Sequence, residues 1–226
     1  MRPWLGLRSL EELNRAAARR DIRTQSGHRI EFVRPGDDPR PYEIQVFESG
    51  AIPTRADNLH DWFNALAWLA FPRTKARMNA MHAAQIPRER GQRGPLRDLL
   101  TVFDEGGVVV ACADEDLVHL VRELRWKELF WTHRSRVREG MRLLVLGHAA
   151  LEKALEPWPG ITCKALFVDP GRGFDQQAAD WLDQLPPGAR ARDLAPLPVF
   201  GYPGWADNDD PAFYDDDRYF RQGKAG

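Results

Sequence analysis

Residues 58–82 carry the pattern that most limits how this chain can fold. The segment reads NLHDWFNALAWLAFPRTKARMNAMH, and its apolar residues recur with helical spacing instead of the alternation of a strand. Advancing about 100° per residue from Leu59 gathers six apolar residues within about 120°, which predicts a core-facing helix. They are Leu59, Trp62, Phe63, Leu66, Leu69 and Ala70. Pro72 interrupts the pattern because proline disfavours helical backbone at the residue before it. The segment therefore predicts two consecutive helices in an αα-hairpin.

The opposite side of the first helix mixes polar groups with large rings. His60, Asp61 and Asn64 fall there, in the same arc as Trp68 and Phe71. Ordinary solvated helix faces favour Lys and Glu over this mixture. We therefore expect this face to line a cleft or to be covered by another part of the protein.

The second helix carries a polar stripe of its own. Counted from Thr74, the side chains of Lys75, Asn79 and His82 fall within about 60° of each other. If both stripes face inward, they share one pocket, in which a cationic side chain stabilises negative charge that develops during a reaction. The predicted catalytic residues of this pocket are His60, Asp61, Asn64, Arg73, Lys75 and Asn79, with His82 beside them.

These polar residues also have a purely structural interpretation. A carboxylate such as Asp61 is favoured at a helix N-terminus by the macrodipole. Buried amides such as Asn64 and Asn79 need hydrogen-bond partners whether or not they catalyse a reaction. The sequence leaves both interpretations open.

A second pattern places His148 and Glu152 four residues apart on one face of a predicted helix. H-x-x-x-E supplies two metal ligands, or a histidine that a carboxylate orients for proton transfer. We therefore name these two residues as candidate ligands of a divalent metal. The alternatives are an ion pair within the helix and a core histidine bonded to a backbone carbonyl. The neighbouring Gly147 either lets another backbone approach or is a helix-packing contact.

The other periodicities predict a mixture of short helices and strands. A Ser9–Glu12 capping box starts the first helix, and Asp104–Gly107 has the composition of a β-hairpin turn. Helices are predicted at residues 10–20, 115–132, 139–156 and 175–185, and strands at 28–33, 41–47, 99–103, 108–113 and 161–168.

Residues 190–226 are rich in Pro, Gly and Asp but also carry large aromatic rings, which are too many for a disordered tail. We expect this segment to pack irregularly on the body. Without repeats or a low-complexity linker, residues 1–226 are predicted to form a single helix-rich α+β domain with short β-hairpins.

Composition and charge narrow the class of protein. Lys and Arg number 32 against 33 Asp and Glu, which leaves a net charge of -1 and disfavours a nucleic-acid partner. A basic loop that contains Arg88, Arg90, Arg93 and Arg97 leaves a nucleic-acid partner as an alternative.

No run approaches the ~18 to 20 apolar residues of a membrane span. Cys112 and Cys163 lie in apolar strand-like runs, as buried free thiols do in a reducing cytoplasm. The chain has neither a Walker lysine loop nor G-x-S-x-G.

Several long strings occur together and in order: PTRADNLHDWFNALAWLAFPRTKARMNAMH, LTVFDEGG, GHAALEKAL with GIT, and PVFGYPGW with FYDDDRYFR. From about residue 40 to 221 the chain resembles the bacterial family catalogued as domain of unknown function 3025. The resemblance implies a cytoplasmic bacterial protein built as one unit, and it implies no activity. Leu59 departs from the family pattern, which has Trp there. The matching polar positions are His60, Asp61, Asn64, Lys75 and Asn79.

Three functional hypotheses follow from these patterns. The first is a hydrolase that acts by acid/base or metal-assisted chemistry, with a phosphoester as one substrate class. The second is a non-catalytic module that docks a protein partner through aromatic side chains near the C-terminus. Those aromatic residues are Tyr202, Trp205, Phe213, Tyr214, Tyr219 and Phe220. The third is a nucleic-acid factor that uses the basic loop.

Overall fold

The computed structural model describes residues 9–89, 92–156 and 160–221, which form a mixed α+β fold. Its helices are α1 Leu10–Arg19, α2 Tyr42–Ser49, α3 Leu59–Ala70, α4 Pro72–Gln85, α5 Pro95–Gly106, α6 Glu115–Arg122, α7 Arg134–Gly140, α8 His148–Lys153 and α9 Phe174–Asp183. Its strands are β1 Glu31–Val33, β2 Ala51–Pro53, β3 Gly107–Cys112, β4 Met141–Val145, β5 Thr162–Val168 and β6 Ala195–Pro198. The predicted helix-rich α+β class is confirmed.

A four-stranded sheet with the order β4-β3-β5-β6 forms the centre of the molecule. The inner strands β3 and β5 are parallel, and each pairs antiparallel with an outer strand. Every residue of β3 is buried, which explains its unbroken apolar sequence GVVVAC. Helices, not tight turns, connect β3 to β4 and β4 to β5.

The two faces of the sheet support separate cores. Val108 and Val110 point into one core, with α6, α7 and the C-terminal segment. Val109 and Ala111 alternate to the other face and pack with α4, α5 and α9. A third core joins α1, the small parallel β1–β2 sheet, α2 and α3. The second and third cores meet at the α3–α4 pair.

The αα-hairpin prediction is confirmed. Asn58 caps α3 by accepting a hydrogen bond from the backbone of Asp61. Phe71 ends α3, and Pro72 occupies the first turn of α4, where its missing N–H costs nothing. The Ser9 cap of α1 and the Asp114 cap of α6 also form as predicted.

The strand predicted at residues 41–47 is wrong, because this segment forms the helix α2. Its alternating apolar residues fit a strand as well as a short helix. Gly50 ends the helix in the left-handed region, with φ of 78°. A Cβ at Gly50 would lie 2.1 Å from the Arg29 carbonyl oxygen, so the chain needs glycine at this helix end.

The strand and hairpin turn predicted at residues 99–107 are also wrong. Pro95 starts α5, and the helix continues to Gly106 before β3 begins directly at Gly107. Leu99, Leu100 and Phe103 recur on one helical face and are fully buried in the second core. Asp104 therefore lies on a helix and not at a hairpin tip.

The long helix predicted at residues 139–156 is interrupted by a strand. Gly140 ends α7, Met141–Val145 pairs with β3 as the strand β4, and His148–Lys153 forms the helix α8. The helix predicted at residues 115–132 stops at Arg122, since Leu124 adopts a positive φ of 59°. A π-helical turn, Glu128–Thr132, follows it.

The C-terminal segment packs on the body with little regular structure, as predicted, although it contains β6. Tyr214, Tyr219 and Phe220 are buried in the first core. Tyr202 and Phe213 pack partly buried against the same core. Residues 222–226 lie outside the described part of the chain.

Both cysteines are buried free thiols, as their apolar surroundings predicted. Burial raises the pKa of Cys163 to about 12, which keeps its thiol protonated. Within residues 9–89, 92–156 and 160–221, no helix is both long and apolar enough to traverse a lipid bilayer.

Candidate functional site

A cleft of about 620 Å³ opens beside the α3–α4 hairpin. Residues of α2, α3, α4, α5 and α8 line it, together with Pro53 of β2 and residues of the loops that include Pro35, Arg55 and Arg93. The start of α8 packs closely against the end of α5 because Gly147 has no side chain. A Cβ at Gly147 would lie 2.6 Å from the Gly106 Cα. The charged or titratable side chains around the cleft are Tyr42, Glu43, Arg55, His60, Asp61, His82, Arg93, Arg97, Asp104, Glu105 and His148.

Two histidines from different helices meet at the cleft. His60 Nε2, on α3, lies 3.0 Å from His148 Nε2, on α8, and the rings are nearly perpendicular. His60 Nδ1 lies 3.0 Å from Glu152 Oε2. His148 Nδ1 lies 3.8 Å from Asp104 Oδ2 on α5. The four side chains form a row that runs from Asp104, which is largely buried, to Glu152, which is partly exposed.

The hydrogen bonds fix which nitrogen carries each proton when both rings are neutral. A carboxylate only accepts, so His60 Nδ1 holds a proton toward Glu152. His60 Nε2 is then the acceptor, and His148 Nε2 is the donor. This leaves His148 Nδ1 bare; that buried atom makes no well-formed hydrogen bond, although the Asp104 backbone lies near enough to His148 to raise its pKa. Burial lowers the pKa of His148 to about 4, which agrees with a neutral ring.

Asp104, at one end of this row, also belongs to a buried ion pair with Lys75. Lys75 Nζ donates to Asp104 Oδ1 at 2.5 Å and to Asn64 Oδ1 at 2.8 Å. The ammonium also lies 5.7 Å from the centre of the Trp68 ring. Burial alone would raise the pKa of Asp104, but the charge and hydrogen bond of Lys75, together with the other neighbouring groups, outweigh it, and the pKa lies below its ordinary value. Asp104 is therefore ionised at the edge of the cleft.

A second carboxyl group on the cleft has the opposite tendency. Asn79 Nδ2 donates to Glu43 Oε2 at 2.6 Å and to the Glu43 carbonyl oxygen at 2.9 Å. Burial, with the negative charge of Asp104, raises the pKa of Glu43 to about 7, against the effect of the Asn79 hydrogen bond. Glu43 is therefore partly protonated near neutral pH.

His82 is held as a neutral imidazole at the far end of the cleft. Arg97 Nε, which can only donate, lies 3.2 Å from His82 Nδ1, so the ring proton is on Nε2. Burial lowers the pKa of His82 to about 4. Arg97 in turn donates to Glu89 at 2.6 Å. Of the other predicted basic-loop residues, Arg93 lines the cleft, and Arg90 lies outside the described residues.

Asp61 is engaged at the rim of the cleft. Arg55 donates to both of its carboxylate oxygens, at 2.8 and 3.0 Å, and the Arg55 backbone N–H adds a third bond. Burial opposes ionisation of Asp61, but these bonds outweigh it and hold the pKa of Asp61 below its ordinary value. Its contacts are those of a structural ion pair.

Residues 30–224 match the family described as "Protein of unknown function (DUF3025)". The chain belongs to the DUF3025 family. No curated protein and no solved structure matches the chain. Every residue of the cleft lies within the matched segment of this DUF3025 chain.

Arg73 of the DUF3025 chain lies outside the cleft. Its backbone N–H donates to Asp175 Oδ2 at 2.9 Å, and its guanidinium bonds to Gln176 on α9. Thr74, the next residue, also bonds to Asp175. These contacts fasten the start of α4 to α9, so Arg73 is not placed to meet charge that develops among the histidines.

The proposed metal pair has a different arrangement from the predicted one. His148 and Glu152 both contact His60, through opposite nitrogens of its ring, instead of converging on a common point. Among the described residues, no group of three or more His, Cys, Asp or Glu is placed to hold a metal ion. The carboxylate of Glu152 orients a histidine, but that histidine is His60 of α3 and not its helix neighbour His148.

The two polar stripes of the DUF3025 chain do converge on one site. His60, Asp61 and Asn64 line the cleft, while Lys75 and Asn79 lie buried behind its wall. Sequence reasoning missed Glu43, and it treated Asp104 as a turn residue. One signal was available for Asp104: it lies three residues after Thr101 and seven after Arg97, as residues on one helical face do.

Proposed function

We propose that this protein is a hydrolase in which Asp104 is the general base and Glu43 is the general acid. The observation that supports this most directly is the contrast between the two carboxyl groups. Asp104 is held ionised by Lys75, and Glu43 retains a proton near neutral pH. Carboxyl groups whose environments separate their pKa values are the arrangement that acid/base catalysis needs.

The proposed reaction uses water as the nucleophile. Asp104 takes a proton from a water molecule while the water oxygen attacks the electrophilic centre of the substrate. The bond to the leaving group breaks, and Glu43 gives its proton to the leaving-group atom. Lys75 keeps the Asp104 carboxylate in place, and its positive charge maintains ionisation.

His82 gives the cleft a fixed donor. Because Arg97 occupies Nδ1, the neutral ring offers its Nε2–H, and it cannot accept a hydrogen bond in the same orientation. A neutral imidazole of this kind polarises a substrate oxygen without adding a formal charge. In the proposed mechanism, His82 is the hydrogen-bond donor to the electrophilic group.

The substrate class remains broad in this proposal. Arg55 is paired with Asp61 and Arg97 with Glu89, so two of the cleft guanidiniums are already neutralised. A phosphoester is therefore favoured no more than a carboxylic ester or another bond that water can cleave. The docking alternative is less favoured, since Tyr214, Tyr219 and Phe220 are buried and only Trp205 of the six aromatic residues is exposed.

Initial rates on a panel of chromogenic carboxylic esters, phosphoesters and glycosides test the proposal. Once a substrate is hydrolysed, Asp104→Asn and Glu43→Gln should each lower kcat by about 100-fold or more. The matched controls are Asp98→Asn, exposed on the same helix as Asp104, and Glu48→Gln, exposed on the same helix as Glu43. Correctly folded Asp104→Asn and Glu43→Gln proteins with undiminished rates would refute the proposed roles.

A further inference from the structure

We infer that His148 and His60 form a proton relay, which accepts the proton collected at Asp104 and holds it on His60 beside Glu152. The source of that proton rests on the proposed function, whereas the relay itself rests only on the contacts among the four side chains. Each hop has a donor and an acceptor that already face one another.

The distances define the path. Asp104 Oδ2 lies 3.8 Å from His148 Nδ1, and the two Nε2 atoms of the histidines lie 3.0 Å apart. His60 Nδ1 completes the row at 3.0 Å from Glu152 Oε2. The first gap is longer than a hydrogen bond, and catalytic bonds of this kind commonly shorten only when substrate is bound.

The protons balance along this row. Before the transfer, the His148 proton is on Nε2 and the His60 proton is on Nδ1. A proton then leaves Asp104 and bonds to the bare His148 Nδ1, while the His148 Nε2 proton passes to His60 Nε2. His148 stays neutral in its other tautomer, and His60 becomes an imidazolium. In reverse, the same two hops return the proton to Asp104. Asp104 then releases it to water in the open cleft and is ionised again.

The surroundings favour the charge on His60 over His148. The His148 side chain is only 7% exposed, and the nearby positive charge of Lys75 opposes a second one. The His60 side chain is 42% exposed, so water solvates an imidazolium there. Glu152 adds a carboxylate at hydrogen-bond distance. The proton therefore passes through His148 without resting on it as a full charge.

Charged groups of α3, α4, α5 and α8 face this pair. Lys75 on α4 is the cation that faces His148, and Asp104 on α5 is the anion. Glu152 on α8 is the carboxylate bonded to His60. Asp61 on α3 is the ionised group next to His60.

The competing interpretation is a static hydrogen bond that only joins α3 to α8. In that case His60 takes up a proton as the pH falls, while His148 keeps its proton on Nε2 or separates from His60. In a relay, proton uptake at His60 and the change of tautomer at His148 occur together. The two interpretations therefore differ in one observable, which is the protonated nitrogen of His148.

NMR of the full chain labelled with ¹⁵N in its histidines measures this directly. At high pH, we expect His148 protonated at Nε2, with a scalar coupling to His60 Nε2 across the hydrogen bond. As the pH is lowered, His60 should become doubly protonated at the same midpoint at which the His148 proton moves to Nδ1. His60→Asn and His148→Asn assign the signals.

Glu152→Gln removes the carboxylate that lies 3.0 Å from His60 Nδ1, so the shared midpoint should move to lower pH. Glu156→Gln, just beyond the same helix and exposed, should leave it unchanged. A His148 tautomer that stays constant through the titration of His60 would overturn the relay. Because no substrate is used, this outcome is separate from failure of the proposed hydrolase activity.

Discussion

The ammonium of Lys75 lies 2.5 Å from the Asp104 carboxylate, and the Lys75 side chain is only 5% exposed. Asn64 occupies a second donor position of this ammonium, and the Trp68 ring covers it. Removing a charge from water is costly unless the partner is well placed. The pair therefore positions Asp104 for chemistry and makes the α4–α5 contact sensitive to the loss of either partner.

Replacing Lys75 with Met should destabilise the fold by about 3 kcal/mol, because it leaves Asp104 partly buried without its counter-charge. Guanidinium unfolding at pH 7 measures the change. The matched control is Lys127→Met, which removes the exposed ion pair with Asp215. Exposed pairs of this kind contribute less than about 1 kcal/mol. Equal losses for the two variants would contradict a special role for the buried pair.

The pH dependence of hydrolysis should follow from the two carboxyl groups. Glu43 has to be protonated to act as the acid, so kcat should fall as the pH rises through about 7. Asp104 has to be ionised, and its lowered pKa keeps the rate high to pH values below its ordinary titration range. Rates measured from pH 3 to 9 test both limbs.

Two variants test whether the alkaline limb belongs to Glu43. Glu43→Gln should abolish the alkaline limb along with most of the rate, whereas Asn79→Leu should move it to higher pH. The second shift follows because the Asn79 hydrogen bond lowers the pKa of Glu43. An alkaline limb that stays in place in both variants would assign it to another group.

The α3–α4 hairpin could be predicted from sequence because its signals are local. Helical periodicity, the Asn58 cap and the break at Pro72 all act within a few residues. The same local signals place His60, Asn64 and Lys75 on inward-facing stripes. These parts of the site were therefore within reach of sequence reasoning.

The rest of the site depends on pairing between distant segments. Met141–Val145 is a strand because it lies beside β3, and its sequence alone continues smoothly into the helix α8. Glu43 was missed because the seven residues around it alternate in polarity, which fits both a strand and a short helix. Asp104 was missed because Asp-Glu-Gly-Gly is also a typical turn sequence.

Acid should destabilise the fold through its buried histidines. Burial lowers the pKa of His82 and of His148 to about 4, well below the ordinary value of 6.5. The unfolded chain therefore binds more protons than the folded chain between about pH 6.5 and 4, so stability is lost as the pH falls through this range. Glu43 acts in the opposite direction, because its raised pKa makes the folded chain bind a proton between about pH 4.5 and 7.

His82→Gln should reduce this acid sensitivity, since a glutamine oxygen accepts from Arg97 without gaining a proton on unfolding. The free energy of unfolding, measured in denaturant at pH 7 and at pH 5, gives the sensitivity as a difference. His119→Gln is the control, because that side chain is 65% exposed. If both variants lose stability with acid as steeply as the original chain, His82 is not a source of the effect.

Gly147 should prove necessary for assembling the row of proton-transfer groups. A Cβ at this position would lie 2.7 Å from the Glu105 carbonyl oxygen and 2.6 Å from the Gly106 Cα. Gly147→Ala therefore has to push α8 away from the end of α5, which separates His148 from Asp104.

We expect Gly147→Ala to lower the free energy of unfolding by about 2 kcal/mol, a typical cost of overpacking. The His148 signals should also lose their coupling to His60. Gly173→Ala is the matched control, because Gly173 likewise precedes a helix and a Cβ there meets nothing within 4 Å. If Gly147→Ala is as stable as Gly173→Ala and keeps the histidine coupling, the close approach of α8 to α5 is not what aligns the site.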